Sequence, residues 1–257
     1  MEREPTGSER RVAVVTGASG SLGRAISLAL AADGADVVAH YHTNETAARA
    51  LVQDVSERGR QAIAVAADVT DPAAAEALLR RAEEEFGHVD VLVNNAGIVR
   101  DELLFDMRPA DWAAVIDLNL TGTFNCIHAA IPGMLVRRHG VIVNVSSVIA
   151  KIGWPGQSNY SAAKAGMDAL TRCAAMELAR FGIRVNSVAP GVIENHLTEQ
   201  VRNHFGERLE RLIPSRRFGG PQEVADAVAF LASERASYIT GEIVDVSGGL
   251  GVGLPLA

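Results

Sequence analysis

The sequence is poor in cysteine, lysine and aromatic residues, and it has no apolar run as long as a membrane-spanning helix. Its two cysteines, Cys126 and Cys173, lie in helix-like segments without a CxxC pair or a histidine cluster, which favours reduced thiols over a disulfide framework. The formal net charge of −7 disfavours a nucleic-acid-binding protein, because that function needs a basic surface. We therefore expect a cytoplasmic protein that binds neither a membrane nor nucleic acid and holds no metal.

The sequence shows no sign of a division into several domains. Residues 1–10, "MEREPTGSER", lack the apolar segment of a signal peptide and are predicted to form a flexible N-terminal tail. No linker, internal repeat or low-complexity tract interrupts residues 11–257. These residues are predicted to fold as one domain.

Strand-like apolar runs alternate with helix-like segments over almost the whole chain. The runs are continuously apolar, which predicts strands buried on both faces in a parallel sheet. Strands separated by helices predict right-handed crossovers and an α/β, single-domain Rossmann fold, a doubly wound parallel β-sheet with helices on both faces. The predicted strands lie at 11–15, 35–40, 61–67, 89–95, 140–147, 182–190 and 241–249, and the predicted helices at 22–32, 44–58, 72–86, 110–138, 158–181 and 221–232.

Two local features refine this pattern. Asp71-Pro72 is typical of a helix start, with an acceptor side chain at the N-cap and proline at the first helical position. The segment near 191–218 is predicted to be irregular, and it interrupts the pattern just before the last helix. Because it follows the end of a strand, we expect it to form a substrate-side insertion.

A glycine-rich segment, "TGASGSLG" (16–23), follows the first strand and opens the first helix. Glycines let the backbone approach a pyrophosphate, and the N–H groups and positive dipole end of the following helix favour its binding. This position in the chain is that of a dinucleotide site. The segment therefore predicts cofactor contacts from Gly17, Ser19, Gly20, Ser21, Leu22 and Gly23.

A second constellation lies in "SSVIAKIGWPGQSNYSAAKAG" (146–166). Tyr160 and Lys164 are four residues apart and share a helix face, where an ammonium can stabilise the phenolate and lower the tyrosine pKa from about 10. Ser147 ends a buried strand, so its hydroxyl is predicted to face a ligand at the carboxyl edge of the sheet. Of the 24 lysine and arginine residues only Lys151 and Lys164 are lysines, which supports a specific role for Lys164 and leaves Lys151 unexplained.

Several motifs together resemble those of the short-chain dehydrogenase/reductase family, and they follow the family's order from residue 11 to about residue 250. More narrowly, the sequence is similar to 3-oxoacyl-[acyl-carrier-protein] reductases and to related polyketide and acetoacetyl-CoA reductases. The motifs are "TGASGSLG", Asp68-Val69, "NNAG" (94–97), Asn119, Ser147, Tyr160-x-x-x-Lys164 and "PG" (190–191), and the narrower likeness includes "NNAGIVRDELLFDM", "QSNYSAAKAG" and "RVNSVAPGVIE".

The resemblance implies a catalytic set of four residues and no metal. Tyr160 would donate a proton to a substrate carbonyl oxygen, and Ser147 would hydrogen-bond that oxygen. Lys164 would lower the pKa of the tyrosine and hold the nicotinamide ribose, while Asn119 would seat a water that refills the proton relay. The other implied cofactor contacts are Asp68 and Val69 at the adenine, Asn95, Ala96 and Gly97 at the adenosine ribose and sheet edge, and Pro190, Gly191, Val192 and Ile193 at the nicotinamide carboxamide.

The choice between NADP and NAD depends on the glycine loop and on the end of the second strand. Many relatives carry a base at position 20 and glycine at position 21, whereas this sequence has Gly20 and Ser21, which removes one partner for a 2′-phosphate. The second strand ends "VVAHYHTNE", with no acid before Glu45 to bind a ribose 2′-hydroxyl, so NADPH is favoured and NAD remains possible. The candidate partners of the 2′-phosphate are Arg24, His40, His42 and Thr43.

The predicted reaction is NADPH-dependent reduction of a ketone to a secondary alcohol. A 3-oxoacyl thioester linked to acyl carrier protein or CoA is the favoured substrate, because Arg137-Arg138 match a basic pair in carrier-linked relatives. Phe181 and Asn195 replace residues common there, so a polyketide ketoreductase or a dehydrogenase of a free secondary alcohol, such as a sugar or steroid, remains open. A non-catalytic nucleotide sensor would not need the serine, tyrosine and lysine together. The family likeness also implies a homotetramer.

Overall fold

The computed structural model describes residues 10–194 and 198–252. The predicted flexible tail lies outside the described residues except for Arg10, and so do Asn195 and the last five residues. The strands are β1 (Val12–Val15), β2 (Asp36–Tyr41), β3 (Ala62–Ala66), β4 (Val91–Asn94), β5 (Gly140–Val145), β6 (Ile183–Pro190) and β7 (Ile243–Val246). The α-helices are α1 (Ser21–Ala32), α2 (Glu45–Ser56), α3 (Pro72–Phe86), α4 (Pro109–Ile116), α5 (Gly122–Arg137), α6 (Ile149–Ile152), α7 (Ser158–Leu178), α8 (Glu199–Leu212) and α9 (Pro221–Ala232).

The seven strands form one sheet in the order β3-β2-β1-β4-β5-β6-β7, and all neighbours are parallel. The chain winds outward from β1 in one direction and from β4 in the other, which confirms the predicted doubly wound Rossmann fold. Because the order reverses between β1 and β4, the segments that follow these strands diverge. They leave a crevice at the carboxyl edge of the sheet, where such folds bind ligands.

Helices bury both faces of the sheet. Ala13 and Val15 of β1 pack in one core cluster with residues of α1, α2 and α9, whereas Val14 packs in a second cluster with residues of α3, α5 and α7. All four residues of β1 are at most 1% exposed. This two-sided burial explains why the strands are continuously apolar in sequence.

The start of α3 confirms the predicted cap. Oδ1 of Asp71 accepts a hydrogen bond from the N–H of Ala73 at 3.0 Å, and Pro72 occupies the first helical position. Gly87 ends the helix in the left-handed conformation, with φ of 85°. Both ends of this helix therefore follow from local sequence.

Two segments differ from the prediction. The single helix predicted over 110–138 is instead α4 and α5 separated by a π-helical turn, Asp117–Thr121. The segment 191–218, predicted to be irregular, contains the fourteen-residue helix α8. Apolar residues recur in its sequence at intervals of four, four and three, at positions 201, 205, 209 and 212, which is a helical period that the prediction of an irregular segment overlooked.

No helix in the described part of the chain is long and apolar enough to span a membrane. Within residues 10–194 and 198–252, no three histidine, cysteine, aspartate or glutamate side chains are grouped so that they could hold a metal ion.

Candidate active site

A cleft of about 1390 Å³ opens at the carboxyl edge of the sheet above the crevice between β1 and β4. Its volume exceeds the roughly 300–1,000 Å³ typical of one small-molecule site, which leaves room for a substrate beside a dinucleotide. Arg24, a candidate partner of the 2′-phosphate, is not among the residues that line it. The predicted catalytic residues and the other predicted cofactor contacts do line it. They are Gly17, Ser19, Gly20, Ser21, Leu22, Gly23, His42, Asp68, Val69, Asn95, Ala96, Gly97, Asn119, Ser147, Tyr160, Lys164, Pro190, Gly191, Val192 and Ile193.

The glycine loop after β1 is held from both neighbouring strands. The N–H of Gly17 donates to Nδ1 of His40 at 3.0 Å, and Nε2 of the same ring lies 3.0 Å from the carbonyl oxygen of Ala67. On the other side, Nδ2 of Asn95 donates to the carbonyl of Thr16 at 2.9 Å, and the Thr16 hydroxyl accepts from the N–H of Asn95 at 2.9 Å. These contacts fix the loop before a ligand binds.

His40 is therefore not the phosphate partner that its sequence position suggested. The side chain is buried, both ring nitrogens are engaged within the protein, and burial lowers its pKa. The ring is neutral and serves as an anchor for the Gly17 turn. His42 and Thr43, which follow β2, are exposed and line the cleft.

Gly20 and Gly23 differ in the room that their positions leave for a side chain. A Cβ at Gly23 would collide with the carbonyl oxygen of Gly17 and would lie 2.8 Å from Cα of Ala18. A Cβ at Gly20 would meet only the Gly17 carbonyl oxygen at 3.5 Å, an ordinary contact. Close packing of α1 on the loop thus requires glycine at position 23 but not at position 20.

The first turn of α1 fits an anionic ligand. The helix begins at Ser21, and among the described residues no side chain caps it and no acid lies in its first turn. Its leading N–H groups and dipole are thus available to a phosphate. The cleft and this donor set fit the pyrophosphate of a dinucleotide.

Asp68 and Val69 follow β3 and form the next part of the wall. The Asp68 carboxylate accepts hydrogen bonds from the N–H and hydroxyl of Thr70 at 3.0 and 2.7 Å, and these bonds lower its pKa. The carbonyl of Val69 accepts from Nδ2 of Asn125 at 3.0 Å. Both residues are therefore held in place by protein contacts.

Asn119 lies in the π-helical turn and is fully buried. Its Nδ2 donates to the carbonyls of Ile98 and Val115 at 2.9 and 3.0 Å, and its Oδ1 accepts from the N–H of Ile98 at 3.3 Å. A Cβ at Gly97 would collide with Oδ1 of Asn119. The asparagine thus joins the segment after β4 to the helical layer, and π turns of this kind are frequent at functional sites.

Ser147, Tyr160 and Lys164 meet beyond the carboxyl end of β5. Oγ of Ser147 donates to the carbonyl of Pro190 at 3.5 Å and accepts from the N–H of Ile149 at 3.3 Å, and this hydroxyl is close enough to Tyr160 to lower its pKa. Nζ of Lys164 donates to the carbonyl of Val145 at 2.7 Å and lies 5.6 Å from the centre of the Tyr160 ring. The two hydroxyls are thus adjacent, and a buried ammonium lies beneath the ring.

Burial dominates the ionisation of this group. It raises the pKa of Tyr160 to about 12, against the lowering effect of the nearby Ser147 hydroxyl, and the charge of Asp101 adds to the rise. It lowers the pKa of Lys164 to about 8, against the charge of Asp168. The predicted lowering of the tyrosine pKa is absent in this geometry, where the Lys164 ammonium is held at the Val145 carbonyl.

Residues that the sequence did not single out line another part of the cleft. The segment after β4 is joined to the segment before α7, because the N–H of Glu102 donates to the carbonyl of Gly156 at 2.8 Å and Nε2 of Gln157 donates to both carboxylate oxygens of Asp101 at 3.0 and 3.1 Å. The insertion contributes Thr198, Arg208, Leu209 and Leu212. Asp101 and Gln157 lie within motifs quoted above, but nothing local shows that they meet.

Two basic residues have structural partners. Arg137, at the end of α5, pairs with Asp90 at 2.7 Å at the amino edge of the sheet, the edge opposite Ser147. It is therefore engaged in the fold rather than free beside the cleft. Lys151, unexplained by the sequence, lies 3.3 Å from the carboxylate of Asp245, which accounts for it as an exposed ion pair.

A doubly wound sheet with a glycine turn at its switch point and a cleft that admits a dinucleotide defines this chain as a Rossmann-fold nucleotide-binding protein. Comparison with known families is more specific. The family described as Enoyl-(Acyl carrier protein) reductase matches residues 17–251. The chain belongs to the short-chain dehydrogenase/reductase family and is an oxidoreductase, and this membership implies a nicotinamide cofactor.

Individual relatives extend over nearly the whole chain. The 3-oxoacyl-[acyl-carrier-protein] reductase FabG of Staphylococcus aureus (strain Mu50) is 46% identical over 93% of this chain and 97% of its own length. The 3-oxoacyl-[acyl-carrier-protein] reductase of Synechocystis is 47% identical over 93% of this chain and 96% of its own. The solved structure of levodione reductase has a TM-score of 0.90 at 34% identity, over 95% of this chain and 98% of that one.

Proposed function

We propose that this protein catalyses the NADPH-dependent reduction of a 3-oxoacyl thioester to the corresponding secondary alcohol. The observation that carries the proposal is the meeting of Ser147, Tyr160 and Lys164 at the end of β5, inside a cleft that also contains the glycine turn. Relatives named 3-oxoacyl-[acyl-carrier-protein] reductase support this substrate class.

The bound nicotinamide dinucleotide would supply the hydride. Tyr160 donates the proton from its hydroxyl to the substrate oxygen, for which a pKa above the ambient pH keeps it protonated. The Ser147 hydroxyl donates to the same oxygen and orients it. The Lys164 ammonium would hold the nicotinamide ribose, and it stabilises the phenolate that proton transfer leaves. Asn119 and a water that it seats return the proton.

The paired hydroxyls favour a carbonyl substrate. Two hydroxyls that approach one oxygen can donate to it as negative charge develops there, which is the requirement of ketone reduction. The family description names an enoyl reductase, whose reducible bond is carbon–carbon, whereas the relatives at 44–47% identity carry the 3-oxoacyl name. An enoyl thioester is therefore the sharpest contrasting substrate.

The preference for NADPH rests on the end of β2. From Val37 to Asn44 the sequence has no acid that could bind a ribose 2′-hydroxyl, and His42 and Thr43 line the cleft there. Glu45 is paired with Arg49 at 2.6 Å on the exposed face of α2. Arg24 is also paired, with Asp54 at 2.6 Å. The 2′-phosphate is thus proposed to bind His42, Thr43 and backbone N–H groups.

One assay tests both the proposed substrate class and the proposed preference for NADPH. Oxidation of NADPH and of NADH at equal concentration is followed with acetoacetyl-CoA, acetoacetyl-acyl carrier protein, crotonyl-CoA and a panel of free ketones. We expect the highest kcat/KM with NADPH and an acetoacetyl thioester. Turnover of crotonyl-CoA alone, or of free ketones alone, would contradict the substrate class. Equal rates with NADH would contradict the cofactor preference.

We also propose a homotetramer that packs through α5 and α7. Each helix carries a large apolar side chain that the single chain leaves open: Val136 on α5 is 86% exposed and Met176 on α7 is 85% exposed. Phe124 at the start of α5 is 49% exposed. Light scattering should give four times the mass of one chain, and a monomer would refute the assembly.

A further inference from the structure

Two arginines line the cleft, and both are exposed to solvent. Arg100 lies in the segment that follows β4, and Arg208 lies on α8. Among the residues that the structure describes, no other arginine lines the cleft. The chemistry proposed above uses neither of these two side chains, so their presence in the cleft has no explanation yet.

Neither guanidinium group is neutralised by the fold. Within residues 10–194 and 198–252 neither side chain forms a hydrogen bond, an ion pair or a ring contact. The acids nearby are paired with other arginines: Asp111 with Arg108 at 2.5 Å, and Glu207 of α8 with Arg211 at 4.0 Å. Two guanidinium groups that keep their donors free in a cleft favour an anionic ligand, because planar N–H forks match carboxylate and phosphate oxygens.

The sheet topology places the two arginines on either side of the proposed chemistry. Ser147 follows β5, which lies between β4 and β6 in the sheet. Arg100 follows β4, and α8 belongs to the insertion that follows β6. Because neighbouring strands lie about 4.8 Å apart, these two segments leave the sheet about 10 Å from each other. A substrate bound at Ser147 is therefore flanked by both arginines.

Ordered segments carry both side chains. The carbonyl of Arg100 accepts a hydrogen bond from Nδ2 of Asn159 on α7 at 3.0 Å, which holds this segment over the start of the helix. Arg208 is followed by Leu209, which is 6% exposed, and both Leu209 and Leu212 line the cleft. The side of α8 that borders the cleft thus combines an exposed cation with apolar side chains.

The cofactor does not account for an anion at this place. The groups proposed for its phosphates, the glycine loop after β1 and His42 after β2, lie on the other side of the crevice between β1 and β4. A 3-oxoacyl thioester offers a second anion when its sulfur belongs to a 4′-phosphopantetheine arm. In such a thioester the ketone and the phosphate lie at opposite ends of one long, uncharged chain.

We propose that Arg208 and Arg100 bind the phosphate of a 4′-phosphopantetheine arm and so select thioesters that carry this phosphate over ketones that lack it. The inference rests on the substrate class proposed above and narrows it. The same phosphate occurs in CoA and in the prosthetic group of acyl carrier protein, and the experiment below includes both sources.

Two substrates that differ only in the phosphate provide the direct test. Acetoacetyl-4′-phosphopantetheine and acetoacetyl-pantetheine have the same ketone, thioester and arm. Because hydrogen bonds between charged groups are among the strong ones, we expect kcat/KM to be about tenfold higher for the phosphorylated substrate, through a lower KM at similar kcat. Equal values of kcat/KM for the two substrates would overturn the proposal.

Substitutions then assign the effect to the two arginines. Arg208→Gln and Arg100→Gln should each lower kcat/KM for the phosphorylated substrate by about threefold, and the double variant should make the two substrates equal. All three variants should leave acetoacetyl-pantetheine and the KM for NADPH unchanged. A loss shared by both substrates, or a higher KM for NADPH, would overturn the proposal.

Two further variants serve as controls. Arg211→Gln removes an exposed arginine from the same helix that is paired with Glu207 and does not line the cleft, so it should leave every value unchanged. Arg208→Lys keeps the positive charge and should retain most of the preference. A loss in Arg211→Gln equal to that in Arg208→Gln would overturn the proposal, because the effect would then come from the net charge of the protein.

The two natural sources of the arm are compared in the same way. Acetoacetyl-CoA and acetoacetyl-acyl carrier protein should both lose about tenfold in kcat/KM in the double variant. A loss with only one of them would overturn the proposal, because the arginines would then bind the nucleotide part of CoA or the surface of the carrier protein.

A binding measurement separates this inference from the proposed function. Isothermal titration calorimetry on the protein saturated with NADP⁺ should show about tenfold tighter binding of 4′-phosphopantetheine than of pantetheine, and the double variant should lose this difference. If the unsubstituted protein reduces no 3-oxoacyl thioester, the proposed function fails and this titration still decides the phosphate site. Equal or undetectable binding of the two compounds to the unsubstituted protein would overturn the site.

Discussion

The β1–α1 loop and helix α7 form two walls of the cleft, here the first and the second wall, and they position their functional groups by different physical means. At the β1–α1 loop the geometry depends on the backbone, because Gly23 leaves no room for a side chain and a neutral His40 holds the turn at Gly17. On α7 it depends on buried ionisable side chains, and burial displaces the pKa values of Tyr160 and Lys164 in opposite directions. Changes in the first wall should therefore affect binding and packing, and changes in the second should affect chemistry and the response to pH.

Tyr160→Phe tests the second wall most severely. It removes the proposed proton donor, and general acid catalysis contributes about 10²–10⁴-fold, so we expect kcat/KM to fall by about a thousandfold. The dissociation constant of NADPH, measured by fluorescence titration, should change by less than about fivefold, because the ring proposed to contact the cofactor remains. Tyr238→Phe is the matched control, since Tyr238 is fully exposed. Retained turnover in Tyr160→Phe would show that another group donates the proton.

Lys164→Met tests how much the buried charge of Lys164 costs in stability. Burial lowers the pKa of Lys164 to about 8 in the folded protein, whereas its value in the unfolded chain is 10.5. Below pH 8 the buried charge therefore lowers the free energy of unfolding by its full amount, and this destabilisation decreases as the pH rises from 8 to 10.5. The Lys164→Met variant lacks this charge, so its advantage in unfolding free energy over the unsubstituted protein should shrink as the pH rises from 8 to 10.5. At 1.36 kcal/mol per pH unit the decrease should be roughly 3 kcal/mol. Urea unfolding at pH 7 to 10.5 measures it.

Lys151→Met is the control for that titration, because Lys151 is exposed and its ion pair with Asp245 lies at the surface. Its unfolding free energy should follow that of the unsubstituted protein at every pH. A constant difference between Lys164→Met and the unsubstituted protein from pH 7 to 10.5 would contradict the low pKa of Lys164.

Gly23→Ala tests the first wall against its neighbour Gly20. The new methyl group must displace the Gly17 carbonyl, and overpacking of this kind costs about 1–3 kcal/mol. We expect that loss in unfolding free energy and at least about tenfold weaker NADPH binding, with no change in the pH profile of the residual activity. Gly20→Ala has ordinary contacts and should resemble the unsubstituted protein in both measurements. Equal effects at the two positions would contradict the steric argument.

The sequence predicts the first wall better than the second, for a physical reason. Glycines at a strand end and an Asp71-Pro72 helix start are local patterns, and local patterns determine turns and caps. The inward orientation of His40 depends on the Gly17 turn, which the sequence pattern does not show. The burial that sets the Lys164 pKa comes from strands far away in the chain. The π turn around Asn119 likewise leaves no mark on the apolar period.

The smallest effect is expected at Ser21, in the first wall. Ser21 is exposed and occupies the first position of α1, so glycine there adds backbone freedom to a helix end and should cost at most about 0.5–1 kcal/mol of unfolding free energy. If the phosphate is bound by N–H groups of the loop, Ser21→Gly should change the NADPH dissociation constant by less than about threefold. A tenfold loss of affinity would instead place the serine hydroxyl among the phosphate ligands, and binding at this wall would then depend on a side chain as it does on α7.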